Sequence, residues 1–374
     1  MKFLSILLLL SLLGFHTLEA DSREELFNQG LTYFEQGDLR SAHNYFNKTV
    51  QKDGEYAPGY FGRGLTRMRM GSSRRAIQDF DKAIELDEEF KEAYNSRGNA
   101  NLQTGRNSSA INDFTKAIEL DEDYIRAYLN RGTTYYNLEE YDKAEEDFNY
   151  IIEKDTPLVE AYNNRGNLFR KQEMYDKAIE DYTEALNIKP DFGMAWYNRG
   201  ICFYENGDTA KAIEDFTQAI ELRPNAAENY FMRGTVYLEQ GKSREAIEDF
   251  KKVLDIRPQM AEAYNNLGNA HLQIGQYSTA RRDFTNAIDN KDEFGDAYYN
   301  RGVAFYYMED YDRAISDFET ALEIESNIPS AHYNKGRCRL EMGDENQACE
   351  NLEKAQLLGH EDAEKLFEQI CDGS

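Results

Sequence analysis

Residues 159–192 read VEAYNNRGNLFRKQEMYDKAIEDYTEALNIKPDF, and this stretch decides the fold. Tyr162, Gly166 and Phe169 fall at steps of four and three, and Ala178, Tyr182, Ala185 and Leu186 do the same after a break. Such steps put side chains on one face of a helix, so the stretch predicts two amphipathic helices joined by a turn. Neither helix can bury its face alone, and the hairpin therefore calls for neighbours of its own kind.

Those neighbours fill the chain in both directions. Glycine recurs every 34 residues, ten times without an insertion, from Gly30 through Gly166 to Gly336. Twelve residues after each stands an alanine, Ala42 to Ala348, and four further on an aromatic in nine of the ten, with Leu352 in the last. Four residues before the glycine is another large ring in eight of ten, such as Tyr162 and Trp196. Glycine inside a helix costs about 1 kcal/mol, which is tolerable where a ring from the facing helix has to come close. A second glycine marks the turn in seven units (Gly37, Gly71, Gly105, Gly207, Gly241, Gly275, Gly343), where a left-handed residue caps the first helix.

This pattern of ring, glycine, alanine, aromatic and alanine resembles the tetratricopeptide repeat, a helix–turn–helix unit of 34 residues. The resemblance implies an all-α, right-handed superhelical solenoid with the first helix of each unit lining the concave side. Ten repeats are expected over residues 23–360, starting near 23, 57, 91, 125, 159, 193, 227, 261, 295 and 329, and residues 361–374 form a capping helix and tail. The family binds proteins and extended peptides, so the resemblance implies a non-catalytic scaffold or adaptor. The alternatives are a subunit that positions substrate for a separate enzyme, and a carbohydrate or cell-envelope binder.

Residues 1–20 stand outside the repeats. Lys2, the apolar run Phe3–Phe15 and the small Ala20 before Asp21 have the layout of a cleavable secretory signal peptide. No cysteine follows the run to take a lipid, and no later stretch is apolar enough to span a bilayer, so a secreted or periplasmic protein is expected. With 69 Asp+Glu against 43 Lys+Arg, the net charge of −26 disfavours nucleic acid and anionic lipid as partners. The five histidines lie at no spacing that suggests a catalytic triad or a metal site, and no phosphate loop or nucleophile elbow is present. No catalytic residue, metal site or cofactor is expected.

Three sets of residues are candidates for roles. Arg or Lys precedes the repeat glycine in eight units and Asp precedes the second-helix aromatic in eight, which suggests structural ion pairs such as Arg165–Asp181, Arg199–Asp215 and Arg301–Asp317. Asn stands two residues before the glycine in seven units, including Asn130, Asn164, Asn198, Asn266, Asn300 and Asn334. It is a mediocre helix former whose amide can serve the backbone of an extended peptide. This ladder resembles the asparagine ladder of O-linked N-acetylglucosamine transferase. Beside it the rings of Tyr197, Tyr299 and Tyr333, with Phe27, Phe61 and Phe231, are expected to line side-chain pockets of a groove. Cys349 lies on the last second helix, where the capping helix with Cys371 should meet it, and exported repeat proteins that the chain resembles end in such a bridge. Cys338, across the same hairpin, is the competing partner, while the sequons at Asn47 and Asn107 matter only in a eukaryotic secretory pathway.

Overall fold

The computed structural model describes residues 18–154 and 158–371. Residues 1–17 of the expected signal segment lie outside the described residues, and its last three open the first helix, Leu18–Glu35. Among the described residues there are twenty-one helices and no strand. From the second repeat on, first helices begin at Ala57, Lys91, Ile125, Val159, Gly193, Ala227, Ala261, Gly295 and Pro329, and the final helix is Glu361–Ile370. The chain divides into two compact units, one ending at Leu168 and one beginning at Phe169.

In the first unit each hairpin closes on one contact. A Cβ added at Gly98 would lie 2.5 Å from the Phe114 ring, and at Gly64 2.6 Å from Phe80. Both rings are fully buried, as are Ala76 and Ala110 beside them. The clusters overlap from one repeat to the next: Phe80 and Phe90 pack with Ala93 and Ala100 of the following repeat. Burial is thus shared between neighbours rather than gathered in one central core.

The second unit repeats the device. Gly268 and Gly302 would place a Cβ 2.5 and 2.7 Å from Phe284 and Phe318. In the last repeat Leu352 replaces the ring, and a Cβ at Gly336 would lie 3.0 Å from it, as one at Gly234 would from Phe250. Asp208 and Asp344 cap second helices by accepting from the N–H of Lys211 and Gln347. Cys349 and Cys371 form a disulfide, Cα–Cα 5.9 Å, that ties the closing helix to the last hairpin.

Turn glycines such as Gly105 (φ 77°) are left-handed, and the three repeats without one use glutamate there: Glu139, Glu173 and Glu309, at φ 62, 60 and 61°. A side chain in this conformation costs about 1–2 kcal/mol, so these turns are strained relative to the glycine turns.

The Gly98→Ala change checks the governing contact. Helix propensity returns about 1 kcal/mol, but overpacking against Phe114 removes about 1–3 kcal/mol, so urea unfolding should show a net loss. In a Phe114→Leu background the same change should be neutral or stabilising, and an equal loss in both backgrounds would refute the contact's role.

Candidate functional site

Two ladders of polar side chains run along the hairpins. The first is built by arginine. In the first unit Arg63, Arg97 and Arg131 each grip the aspartate of the second helix of the same repeat with Nε and Nη2, as in Arg131–Asp147 at 2.9 and 2.7 Å. The remaining Nη1 reaches back sixteen residues into the previous repeat: Arg63 to Asn47, Arg97 to Asp81, Arg131 to Thr115 and Arg165 to Asn149. The guanidinium also lies over the ring three residues earlier, 5.5 Å from the Tyr128 centroid for Arg131. Planar geometry with five donors suits arginine to this three-way rung in a way lysine cannot match.

The second unit carries the same rungs. Arg199 holds Asp215 at 2.8 and 2.9 Å and reaches Thr183; Arg233 holds Asp249 and reaches Thr217; Arg301 holds Asp317 and reaches Thr285. Asp181 is buried, as are its counterparts. Burial pushes the carboxyls of Asp147, Asp215 and Asp249 upward, and the guanidinium pulls them back. The previous-repeat arm was not visible in a pairing of arginine with aspartate alone, although the Asn, Asp or Thr sixteen residues upstream supplies its signal.

Repeat 8 breaks the pattern. Leu267 stands where the arginine would be, and Lys251 replaces the upstream acceptor in repeat 7. Asp283 turns instead to His271, Nδ1 to Oδ2 2.6 Å, with both side chains buried. The same position serves in repeats 2 and 3, where Arg67 and Asn101 donate to Asp79 and Asp113.

The second ladder is the asparagine row. In the first unit Asn130 donates to Asn95 at 2.9 Å and Asn164 to Thr133 at 3.2 Å. In the second unit Asn300 donates to Asn265 at 3.0 Å and Asn334 to the Tyr299 hydroxyl at 3.0 Å. Asn198 is buried, while Asn266 is half-buried. The row therefore sits where one first helix meets the previous one, and each of the four donors uses one amide hydrogen there.

Most of the rings beside the row pack against their own hairpins. Phe27 and Phe61 are buried, and Tyr197, Phe231 and Tyr299 pack on Phe216, Phe250 and Phe318 of their own hairpins with centroids 5.9, 5.9 and 5.7 Å apart. The reason is helical geometry: a residue three before the glycine shares the glycine's face, and that face meets the second-helix ring. Tyr333 stacks on His360 at the closing helix, centroids 4.2 Å apart. Among the described residues no three His, Cys, Asp or Glu come together to hold a metal ion. No described helix is long and apolar enough to cross a membrane.

Stacked antiparallel helix pairs, stapled by a repeating rung and closed by an extra helix, define an α-solenoid of 34-residue hairpins. The chain belongs to the tetratricopeptide repeat family, a family of interaction scaffolds: tetratricopeptide repeat models match residues 57–90, 159–192, 194–226, 216–248, 265–306, 295–328 and 329–358, and TPR repeat models match 98–139 and 234–275. No curated protein matches the chain. A tetratricopeptide repeat protein from Parabacteroides merdae is 21% identical with a TM-score of 0.50, over 66% of this chain and 98% of that one. The APC/C hetero-tetramer Cut9–Hcn1 gives 15% and 0.50 over 94% and 87%, and MamA gives 27% and 0.41 over 44% and 96%. The first two likenesses are of fold.

Two outcomes follow from this geometry. Arg131→Leu strands Asp147 in a buried site and should cost about 3–5 kcal/mol, while Arg131→Leu with Asp147→Leu recovers most of it in urea unfolding. With its guanidinium gone the Asp147 carboxyl titrates higher folded than unfolded. The folded state then binds the extra proton, so the single variant should gain stability as the pH falls from 7 toward 4, roughly. A loss that is independent of pH would contradict this. Separately, burial pushes the thiols of Cys202 and Cys338 up to about 12. Without reductant neither should react with a thiol reagent at neutral pH, and denaturant should release those two alone. A labelled Cys349 or Cys371 would argue against the bridge.

Proposed function

We propose that the protein is a non-catalytic scaffold that binds extended polypeptide along its first-helix faces, outside the cell or in the periplasm. The observation that carries the reading is the asparagine row. Asn130 and Asn164 in one unit, and Asn300 and Asn334 in the other, are half-exposed amides oriented by a bond to the previous repeat. An amide offers two donors and two acceptor sites, so the bond to the previous repeat, joined at Asn164 by one accepted from Asn163, leaves capacity for a ligand. A pre-oriented side chain loses little freedom when it binds, which favours affinity. Asn serves peptide backbone without reading side chains, as suits an extended partner of varied sequence. Export is supported by the leader-like residues 1–20 and by the Cys349–Cys371 bridge, which belongs to an oxidising compartment.

Asn266→Ala gives the most informative test, because no hydrogen bond of the fold engages this side chain among the described residues. On an array of immobilised peptides the variant should lose signal by about fivefold, the worth of one hydrogen bond, with its helicity and melting temperature unchanged. Replacing Asn130, Asn164, Asn198, Asn266 and Asn300 together should abolish binding. Peptide signals that survive both changes, or binding to a glycan array in place of the peptides, would overturn the reading.

A further inference from the structure

Tyr307 ends the first helix of repeat 9, Gly295–Tyr307, and is 50% exposed; no other aromatic side chain among the described residues is as open. Its ring lies flat against Tyr277 of the previous repeat, centroids 4.8 Å and planes 9° apart. Tyr306 meets it edge-on at 5.6 Å, and Tyr311 adjoins Tyr306 at 5.7 Å. The hairpin does not require this cluster. At the equivalent places Gln103 and Gln273 simply accept from Ser73 and Ser243 at 2.6 Å, and no other repeat carries a ring five residues after its glycine. An exposed ring stacked on a half-buried one, where a glutamine–serine pair suffices elsewhere, points to a surface that is covered by something else.

The charge around the rings names its partner. Repeat 9 holds two cations against eight acids over residues 295–328. Glu309, Asp312 and Glu341 are exposed, and no ion pair engages them among the described residues. Nearby cations are occupied: Arg313 with Asp310, Lys335 with Glu319, Arg339 with Asp344, and Arg337 over the Tyr306 ring at 4.4 Å. Glu341 ends the first helix of repeat 10, at the place Tyr307 holds in repeat 9, and burial first, with Glu341 adding to it, pushes the Tyr306 and Tyr311 hydroxyls upward. Glu309, two residues past Tyr307, takes the left-handed turn position that glycine fills in seven repeats, as Glu139 and Glu173 do in two others.

We propose that this ledge docks a cationic segment of a partner polypeptide, with a Lys or Arg side chain lying on the Tyr277–Tyr307 rings and paired with Glu309, Asp312 or Glu341. Ring faces attract cations, and the nearby carboxylates add to that attraction. Tyrosine is a frequent anchor at the centre of interfaces, and the net charge of −26 steers a basic segment toward the chain. Phosphate-bearing partners meet repulsion from the same acids. The inference rests on the polypeptide-binding reading but uses different side chains.

Fluorescence anisotropy of labelled octalysine against the full chain tests it, at an ionic strength of about 0.15 M where long-range attraction is screened. Tyr277→Ala with Tyr307→Ala should weaken binding by about tenfold or more, while Tyr307→Phe keeps it because the ring face is retained. Glu309→Gln with Glu341→Gln should weaken it comparably, and serves if the tyrosine pair perturbs folding by circular dichroism. Glu139→Gln with Glu140→Gln, acidic turn residues of the other unit, should leave it unchanged. If the Glu139/Glu140 variant loses as much as the tyrosine variant, or the tyrosine variant loses nothing, octalysine feels only the general field and the ledge is refuted. Asn266→Ala should leave octalysine binding intact, so failure of the asparagine row and failure of the ledge are read separately.

Discussion

A single spacing governs the hairpins: the approach of a buried ring on the second helix to a glycine on the first. At Gly98 and Gly268 a Cβ would come within 2.5 Å of the facing phenylalanine, closer than real Cβ atoms come. With that spacing set, the residue before the glycine lies at the right height to grip the aspartate before the ring. The small residues Ala110 and Ala280, both fully buried, let the next hairpin close on the same ring. Register, rung and stacking thus follow from one backbone-to-ring distance.

The arginine rung turns a row of hairpins into a joined stack. An ordinary ion pair would stabilise one hairpin, but Nη1 carries the same guanidinium into the previous repeat, as from Arg131 to Thr115 and from Arg199 to Thr183. Because burial opposes the charge on Asp147, Asp215 and Asp249, the rung acts more as a specifier of geometry than as a source of net stability. Where His271 stands in for arginine the aspartate is satisfied, but no guanidinium arm reaches the previous repeat, and Leu267 packs instead among Ala246, Ile247 and Phe250.

Most of the fold could be read from the sequence because every repeat solves the same packing problem with the same residue types. Helix starts from Ala57 to Pro329 fall on the 34-residue lattice. The candidate site was less legible. Tyr197 and Tyr299 stand out in the sequence only as neighbours of asparagine, while the helical step of three also ties them to the glycine face and so to Phe216 and Phe318. The second arm of the arginine could be anticipated only by comparing adjacent repeats, since its acceptor varies among Asn, Asp and Thr. Tyr307 departs from the repeat pattern, so periodicity passes over it; its exposure and its stacking on Tyr277 are visible only in three dimensions.

The boundary between repeats 7 and 8 has a further consequence for how such a chain can be rearranged. Where a rung spans the boundary, a gene duplication or deletion that shifts one repeat has to bring a matching arginine, aspartate and upstream acceptor together, or leave a buried carboxylate stranded. With Leu267 and Lys251 at the two rung positions no such triple spans this boundary, and Asp283 is held by His271 within its own hairpin. New repeats can be spliced in there without orphaning a charge, so the boundary is a natural seam for growth or loss of the array.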